Sequence, residues 1–350
     1  MDLLHKICDT VALDEKACKL IIIDQTRLPN EERFLALDTE AEVIEAIQTL
    51  KVRGAPAIGV AAAIGLYVCA CRVPDRDPAR WLGAVLAIKE RISHARPTAV
   101  NLTWALNRME EILRAHPNHS IEEMKRLLHD EACAIRDADI DVCRSIGWNG
   151  AELIADGDGI LTHCNAGRLA AVRYGTALAP IYAARDAGKN VHVYADETRP
   201  LLQGARLTSY ELVSGGIDTT LQCDNMAASL MASGRIQSVF VGCDRVAANG
   251  DVANKIGTLG VAILANYFHI PFYVCAPIST IDLSCASGND IVIENRAAEE
   301  VTQLWYRDRM APAGVKVYNP AFDVTPHTLV TALITEKGIW RDASQLAQLV

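Results

Sequence analysis

The first 150 residues carry hydrophobic side chains at helical spacing over most of their length. Apolar residues that recur every three or four positions face one side of a helix. Ser120 followed by Glu123 matches a capping box, which predicts a helix start. Only KLIII, Lys19 to Ile23, has the pattern of a strand. We predict helices at residues 39–50, 57–71, 81–93, 100–115 and 120–148.

After about Gly150 short apolar runs alternate with helical segments. This alternation is typical of a parallel sheet with helices on both faces, and so of an α/β fold. The sequence therefore predicts a mostly helical N-terminal domain, residues 1–149, and a parallel-sheet domain, residues 150–350. The predicted strands are 159–163, 190–194, 218–221, 238–241 and 271–275, and the predicted helices are 169–187, 206–214, 225–233 and 253–268.

The composition narrows the class of protein. Half of the 350 residues are hydrophobic and the net charge is −9, so nucleic-acid binding is disfavoured. The longest apolar run, residues 57–71, is shorter than the roughly 20 residues of a membrane span. The 11 cysteines are scattered without paired spacing, and Cys69 and Cys71 have no ligand partners nearby, so we expect reduced thiols and no metal. These features favour a soluble, cytoplasmic enzyme.

Chemically active residues follow two of the predicted strands. In open parallel sheets ligands bind beyond the carboxyl ends of the strands. Cys164 follows the first strand in HCNAG, just before a predicted helix, whose dipole would lower the pKa of the thiol. A small buried side chain is an equally good interpretation of Cys164. Gln203 follows the second strand in a polar loop and could hold a polar ligand, although loop polarity mostly reflects solvation.

The fourth strand leads into VGCDRVAANGDVANKIGT. Asp244 follows the strand directly, and Asn254 and Lys255 lie near the start of the predicted helix, where amides and a lysine form an anion site. Alternatively, Asp244 caps a helix or a turn and Lys255 is a solvated surface lysine. The segment lacks the spacing of a Walker A loop, and no G-x-G-x-x-G is present, so a nucleotide cofactor is not indicated.

The N-terminal part supplies further anion-binding groups. Arg53, Gly54 and Ala55 precede Pro56 at a predicted helix start, and glycine there permits close backbone approach. Arg96 stands before Pro97, in a segment expected to be extended. Together with the thiol and the carboxyl group, these residues suit proton transfer on a small phosphorylated substrate held in an interdomain cleft.

Five motifs in order resemble the methylthioribose-1-phosphate isomerases. Their superfamily also contains ribose-1,5-bisphosphate isomerases and regulatory subunits of a translation-factor exchange complex. The resemblance implies a Rossmann-like C-terminal domain, a homodimer, a role in methionine salvage, and no metal or nucleotide cofactor. The motifs, within residues 51–282, are RGAPAIGVAAAIG, RPTAVNLTWAL, LTHCNAG, YADETRPLLQGARLT and DRVAANGDVANKIGT.

The resemblance also implies roles for individual residues. Cys164 and Asp244 match the catalytic pair, and the substrate-binding set is Arg53, Gly54, Ala55, Arg96, Gln203, Asn254 and Lys255. Three residues depart from the family pattern: Cys243 stands where alanine is usual, and Arg168 and Arg173 stand where small or neutral residues are usual. Those arginines are either surface residues of a helix or determinants of what the pocket accepts at C5 of the sugar.

The implied reaction converts an aldose 1-phosphate to a ketose 1-phosphate. Phosphate blocks the anomeric oxygen, so a general acid must protonate the ring oxygen and hydrogen must move from C2 to C1. Burial would keep Asp244 protonated for this role, and the apolar VFVG before it favours burial. Cys164 would take the C2 proton as a thiolate or stabilise a hydride shift. The expected substrate is 5-methylthioribose 1-phosphate, and the alternatives are 5-deoxyribose 1-phosphate and ribose 1,5-bisphosphate. Outside enzymes, the alternative is a non-catalytic regulatory subunit that senses sugar phosphates.

Overall fold

The computed structural model describes residues 9–96 and 99–349. They form two compact units. One contains residues 9–141 together with Arg168–Gly175, and the other contains Val142–Gly167 together with residues 176–349. The segment Arg168–Gly175 is bound within the first unit, where the Thr10 hydroxyl donates to the Arg168 carbonyl at 2.9 Å. The domain division at residue 150 stays a prediction.

The first unit combines a small antiparallel sheet with helices. The predicted strand at Lys19–Ile23 is confirmed and is the central strand of the sheet. Its two neighbours are only four residues long, too short for a clear periodic pattern. The strands are β1 (Val11–Asp14), β2 (Lys19–Ile23) and β3 (Phe34–Leu37), and the helices are α1 (Glu40–Gln48), α2 (Ala55–Arg72), α3 (Pro78–Ser93), α4 (Val100–Arg114) and α5 (Ile121–Ala151), which continues into the second unit.

Helix α2 is the core of the first unit. Thirteen of its 18 residues are buried. Small residues bring its neighbours close, because a Cβ at Gly59 would lie 3.0 Å from the Asn101 carbonyl oxygen of α4 and one at Gly65 would lie 2.9 Å from Val43 of α1. In the described part of the chain α2 is the one helix with the length and apolarity of a membrane span, and 72% of it is buried inside the protein. A buried core helix has the same composition.

The second unit contains eleven strands and five helices in its described part. The strands are β4 (Gly159–Thr162), β5 (His192–Asp196), β6 (Asp218–Gln222), β7 (Ser238–Val241), β8 (Arg245–Ala247), β9 (Val252–Lys255), β10 (Phe272–Cys275), β11 (Ile281–Asp282), β12 (Phe322–Thr325), β13 (Ala332–Thr335) and β14 (Gly338–Trp340). The helices are α6 (Ala179–Asp186), α7 (Ser209–Ser214), which follows a π-helical turn at Gly204–Thr208, α8 (Ala227–Ala232), α9 (Thr258–Tyr267) and α10 (Glu299–Thr302).

The main sheet has seven strands in the order β14-β13-β10-β7-β4-β5-β6. All neighbours are parallel except β13 and β14. From β4 the chain adds β5 and β6 on one side, then crosses back to add β7, β10 and β13 on the other. This is the strand order of a Rossmann fold, and its direction reverses between β4 and β7. The predicted fold class is confirmed.

A four-stranded sheet, β11-β8-β9-β12, corrects one predicted helix. The sequence analysis started a helix at residue 253, but residues 252–255 are strand β9 and α9 begins at Thr258. Gly250 has φ +86°, a turn conformation that glycine adopts easily, and the chain folds back there into the β8–β9 hairpin. Short apolar segments of this length fit a strand or a helix equally well.

The predicted helix over residues 169–187 is also wrong for its first ten residues. Arg168–Ala170 is a single 3₁₀ turn, and α6 begins only at Ala179. Tyr174 and Gly175 have φ of +68° and +80°. A right-handed helix needs φ near −63°, so these two residues interrupt it.

Gly54 should tolerate no side chain. It has φ +91° before α2, and a Cβ there would lie 2.3 Å from the Ala170 carbonyl oxygen. Gly54→Ala should therefore lower the free energy of unfolding by about 2–5 kcal/mol, through backbone strain and overpacking, measured by denaturant titration. Gly157→Ala is the matched control, because Gly157 has φ +89° with nothing within 4 Å. Equal losses in the two variants would contradict the close contact with Ala170.

Candidate active site

The two predicted catalytic residues follow adjacent strands. Strands β4 and β7 pair in parallel, with Ile160 opposite Ser238 and Leu161 opposite Val239. Cys164 lies two residues beyond the end of β4, and Asp244 lies three residues beyond the end of β7. Both therefore stand at the carboxyl edge of the sheet where the strand order reverses, which is where ligands bind in such sheets.

The loops after β4 and β7 pack directly against each other. A Cβ at Gly242 would lie 2.5 Å from the Cβ of Ala166. No real Cβ makes so short a contact, so the glycine before Cys243 and Asp244 allows the loop of Cys164 to approach. The Asp244 backbone N–H donates to the Ala253 carbonyl at 3.0 Å, which joins this loop to β9.

Cys164 is held in a strained conformation. Its φ is +65°, in the left-handed region that side chains with a Cβ rarely adopt, and the residue is 9% exposed. Its N–H donates to the Thr198 hydroxyl at 2.8 Å, and its carbonyl accepts from the Thr208 hydroxyl at 2.6 Å. Strain of this kind persists where surrounding contacts enforce it, and it clusters at active sites. The loop after β4 thus carries a cysteine whose backbone is held by the hydroxyl groups of Thr198 and Thr208.

A fully buried carboxyl group lies behind the cysteine loop. Glu211 accepts hydrogen bonds from Asn165 Nδ2 and, at 3.2 Å, from the Tyr182 hydroxyl. A Cβ at Gly167 would lie 2.1 Å from Glu211 Oε1. The asparagine and the glycine of HCNAG therefore fit around this carboxyl group. The sequence analysis missed Glu211, whose signal is a charged residue within the apolar helical segment YELV.

His163 joins three loops beneath the site. Its Nδ1 lies 3.0 Å from Asp196 Oδ2 and its Nε2 lies 2.9 Å from the Ile256 carbonyl oxygen, and the ring is buried. The Ile256 carbonyl can only accept, so Nε2 carries a hydrogen, and Nδ1 shares a proton with Asp196, whose pKa burial also raises. Burial lowers the pKa of His163, but the hydrogen bond to Asp196 and the Asp196 charge outweigh it, so the pKa is raised.

The sequence analysis missed both members of this buried pair as site residues. Gln222 Nε2 donates to Asp196 Oδ1 at 2.8 Å, so both carboxylate oxygens are hydrogen bonded. His163, Asp196 and Asp224 also have the mutual spacing of metal ligands. Both ring nitrogens of His163 are already engaged in hydrogen bonds, however, and the Asp224 carboxylate accepts from the backbone N–H groups of Thr198 and Arg199, each at 2.7 Å. The group therefore serves as a hydrogen-bonded support.

Two premises of the sequence analysis are wrong. No helix starts directly after Cys164, so a helix dipole does not act on this thiol. Asp244 is exposed rather than buried. The residue before it, Cys243, is half-buried, and desolvation, followed by the Asp244 charge, raises the pKa of its thiol well above the usual value.

The first amides of α9 are not available to the predicted anion site, while the binding roles of Asn254 and Lys255 stay predictions. Asn254 and Lys255 lie on β9, three to four residues before the helix. The first amides of α9 are already engaged, because the Gly257 and Leu259 N–H groups donate to the Asp323 carboxylate at 2.8 and 3.1 Å. A carboxylate of the protein itself therefore caps this helix.

Lys255 and Gln203 nevertheless line one narrow cleft, together with Arg296 and Asn319. The Lys255 ammonium donates to the Ala321 carbonyl at 3.1 Å. Gln203 is 6% exposed, and its Oε1 has no hydrogen-bond partner in the described part of the chain. An unsatisfied buried acceptor costs free energy, so a donor from a ligand would stabilise it.

Asn254 does not line this cleft. Neighbouring residues of a strand point to opposite faces, and Asn254 Nδ2 donates to the Thr258 hydroxyl at 3.0 Å.

The remaining predicted binding residues belong to the first unit. Arg53 and Ala55 are half-buried at the start of α2, and the close approach that Gly54 permits is to Ala170. Arg96 is half-buried, and its carbonyl accepts from the Ala99 N–H at 3.0 Å. Pro97 and Thr98 of the motif lie outside the described residues.

Neither arginine after the cysteine loop lies on a helix surface. Arg168 is 5% exposed, within the 3₁₀ turn, and Arg173 forms an ion pair with Asp9 at 2.7 Å. Both belong to the first unit, although they follow Cys164 in the chain. The prediction that they are surface residues of a helix is wrong.

Comparison with known proteins identifies the family. Residues 51–342 match the model of the initiation factor 2 subunit family. The chain belongs to this family. A methylthioribose-1-phosphate isomerase of Parabacteroides distasonis is 61% identical over 93% of this chain and 98% of its own length. A 5-deoxyribose 1-phosphate isomerase of Petrotoga mobilis is 54% identical over 94% of each chain.

Two solved structures have the same fold over nearly the whole chain. The 5-methylthioribose 1-phosphate isomerase of Pyrococcus horikoshii OT3 has a TM-score of 0.94 and 41% identity, covering 99% of this chain and 96% of that one. The translation initiation factor eIF-2B, subunit delta, from A. fulgidus has a TM-score of 0.88 and 42% identity, covering 95% of each. The resemblance to the isomerases found in the sequence is confirmed.

The pair formed by His163 and Asp196 should make stability depend on pH. Below about pH 6.5 His163 is charged in both the folded and the unfolded chain, so the stabilisation is fully present. Above it the unfolded chain loses its proton first, and the stabilisation declines as pH rises through the raised pKa of the folded state. His163→Gln should cost about 3–5 kcal/mol at pH 6 and less at pH 9, measured by denaturant titration at each pH.

A second histidine provides the control. His192 lies 2.7 Å from Asp218, whose side chain is 76% exposed, so His192→Gln should cost only about 0–1 kcal/mol. A cost of His163→Gln that stays constant from pH 6 to 9 would rule out a charged histidine at this position.

Proposed function

We propose that the protein is an aldose–ketose isomerase that converts 5-methylthioribose 1-phosphate to 5-methylthioribulose 1-phosphate, a reaction of methionine salvage. The observation that carries the proposal is the position of Cys164 and Asp244 in the loops that follow two adjacent parallel strands, at the reversal of strand order. The name of the relative that is 61% identical supports the substrate. The family match and the fold are compatible with this activity.

In the proposed reaction Asp244 donates a proton to the ring oxygen as the bond from that oxygen to C1 breaks. The hydrogen at C2 then moves to C1, the C2 hydroxyl group returns a proton to the Asp244 carboxylate, and C2 becomes the ketone. Cys164 lies beside this carbon and assists the transfer, as base or as a polarisable group. Asp244 is exposed in the free chain, so binding of the sugar must remove water from its carboxyl group before it acts as an acid.

We further propose that the substrate is held by Arg53, Gly54, Ala55, Arg96, Gln203, Asn254 and Lys255. Gln203 and Lys255 line one cleft in the second unit, and this cleft must open to admit a ligand because it has no room for a water molecule in this structure. The ammonium of Lys255 has three donors, of which the Ala321 carbonyl uses one, so it can also donate to phosphate. Gln203 Oε1 can accept from a sugar hydroxyl.

One observation favours a second substrate. The relative from Petrotoga mobilis is named for 5-deoxyribose 1-phosphate and is 54% identical to this chain. That sugar differs only by the absence of the methylthio group, so the same reacting atoms would face the same residues. The two activities are distinguished by what surrounds C5.

We also infer that the protein is cytoplasmic and acts as a homodimer. The ten cysteines of the described chain are all free, as in a reducing compartment. The homodimer is inferred from the resemblance to the isomerases, and light scattering after size-exclusion chromatography would test it.

A panel of sugar phosphates should rank the substrates by kcat/KM. The methylthio sugar should exceed 5-deoxyribose 1-phosphate by about 10- to 200-fold, the discrimination that an apolar pocket gives for a small apolar group. Ribose 1,5-bisphosphate should be the poorest. A preference for the deoxy sugar would support the second activity, and turnover of none of the three would contradict the isomerase proposal.

Substitution of the catalytic pair should reduce turnover while sparing substrate binding. Cys164→Ser keeps the size and loses the easily ionised thiol, and Asp244→Asn keeps the shape and cannot give up a proton. Each should lower kcat by about 10²–10⁴-fold. Calorimetry should show nearly unchanged substrate binding.

Cys223→Ser is the control for the thiol, because Cys223 is exposed and follows β6 rather than β4. Turnover at the unsubstituted rate in Cys164→Ser would exclude the thiol from the chemistry. The same result in Asp244→Asn would exclude Asp244 as the acid.

A further inference from the structure

Three potential metal ligands meet in the first unit, on elements that the proposed reaction does not use. Glu15 lies in the turn between β1 and β2, and His129 and Cys133 lie on α5. The two helix residues are four positions apart, so they share one face of the helix. One ligand atom from each of the three residues lies within 4.8 Å of the others.

The distances fit a zinc ion with small adjustments. His129 Nε2 lies 3.8 Å from Cys133 Sγ and 2.9 Å from Glu15 Oε2. Around a tetrahedral zinc, the usual bond lengths put nitrogen about 3.6 Å from sulfur and about 3.4 Å from oxygen. The nitrogen and sulfur are therefore nearly in place. Glu15 has to withdraw by about half an ångström, and its side chain is 57% exposed, which leaves it room to move.

The surroundings orient the histidine for metal binding. His129 Nδ1 lies 2.9 Å from Asp130 Oδ1, so the carboxylate holds the Nδ1 hydrogen and directs Nε2 towards Glu15 and Cys133. A carboxylate on the far nitrogen is the usual partner of a metal-binding histidine. The Tyr67 ring packs edge-on against the imidazole, with centroids 5.3 Å apart, and fixes the ring plane.

The donor set selects the kind of metal. Imidazole and thiolate favour zinc, while magnesium and calcium prefer oxygen ligands. The His129 side chain is 28% exposed, so an ion from solution reaches the site without unfolding. Three protein ligands leave a fourth tetrahedral position for water.

We propose that Glu15, His129 and Cys133 form a zinc-binding site that joins the β1–β2 turn to α5. Binding displaces the proton of the Cys133 thiol and the hydrogen shared between His129 Nε2 and Glu15, and both protons are released to solvent. The site is separate from the residues proposed for catalysis, and zinc has no part in the isomerase reaction.

Cobalt(II) is the probe, because it replaces zinc and reports its ligands by absorption. The untagged full-length protein, kept reduced, is titrated with Co²⁺. One equivalent should bind with the visible bands of tetrahedral cobalt and a sulfur-to-cobalt charge-transfer band, and Zn²⁺ should displace it. Cys133→Ser should lose the charge-transfer band, and His129→Gln and Glu15→Gln should lose the tetrahedral bands. Asp130→Asn should weaken zinc binding about 10- to 100-fold.

Two other cysteine variants serve as controls. Cys223→Ser and Cys164→Ser should keep the charge-transfer band, and zinc should raise the melting temperature of both but not of His129→Gln. Circular dichroism checks that each variant is folded. A protein that takes up no cobalt overturns the proposal, as does a band that persists in Cys133→Ser or disappears in Cys164→Ser.

Discussion

The buried contact between His163 and Asp196 fixes the loops on which the candidate active site depends. One ring nitrogen of His163 binds the end of β5, and the other binds the turn before α9. Cys164 is the next residue, so the cysteine loop starts from an anchored position. A buried histidine and carboxyl group are costly to desolvate, and the hydrogen bonds to both ring nitrogens of His163 and both carboxyl oxygens of Asp196 offset this cost. The pair formed by His163 and Asp196 therefore serves to position the loops of the candidate active site more than to stabilise the fold.

The strained cysteine follows from this anchoring. Cys164 keeps φ +65° because Thr198 and Thr208 bind its backbone from two sides. Thr198 is held in turn by the Asp224 carboxylate, which also binds the next backbone amide. Behind the loop, Glu211 occupies the space that any side chain at residue 167 would need. This part of the sequence therefore fixes the backbone of the Cys164 loop as well as supplying the thiol.

The sequence predicted elements where one pattern dominates. The predicted bounds of the strands at residues 19–23 and 238–241 agree with the structure, and the parallel sheet is also confirmed. A continuous apolar run between two turns fits few elements other than a buried strand. Residues 253–255 were misassigned because the β8–β9 hairpin is set by Gly250, and four residues cannot show a period. His163 and Asp196 were missed because the partners of His163 are 33 and 93 residues away, a distance at which local patterns carry no signal.

The second unit supplies both residues proposed for catalysis, and the first unit supplies none. Cys164, Asp244, Gln203 and Lys255 all belong to the second unit, where Cys164 and Asp244 follow strands of the main sheet and Lys255 lies on β9 of the four-stranded sheet. Only four residues after Cys164 the chain enters the first unit at Arg168, which is buried there and bonded through its carbonyl to Thr10. The cysteine loop is therefore constrained at its far end by a unit that supplies no catalytic group.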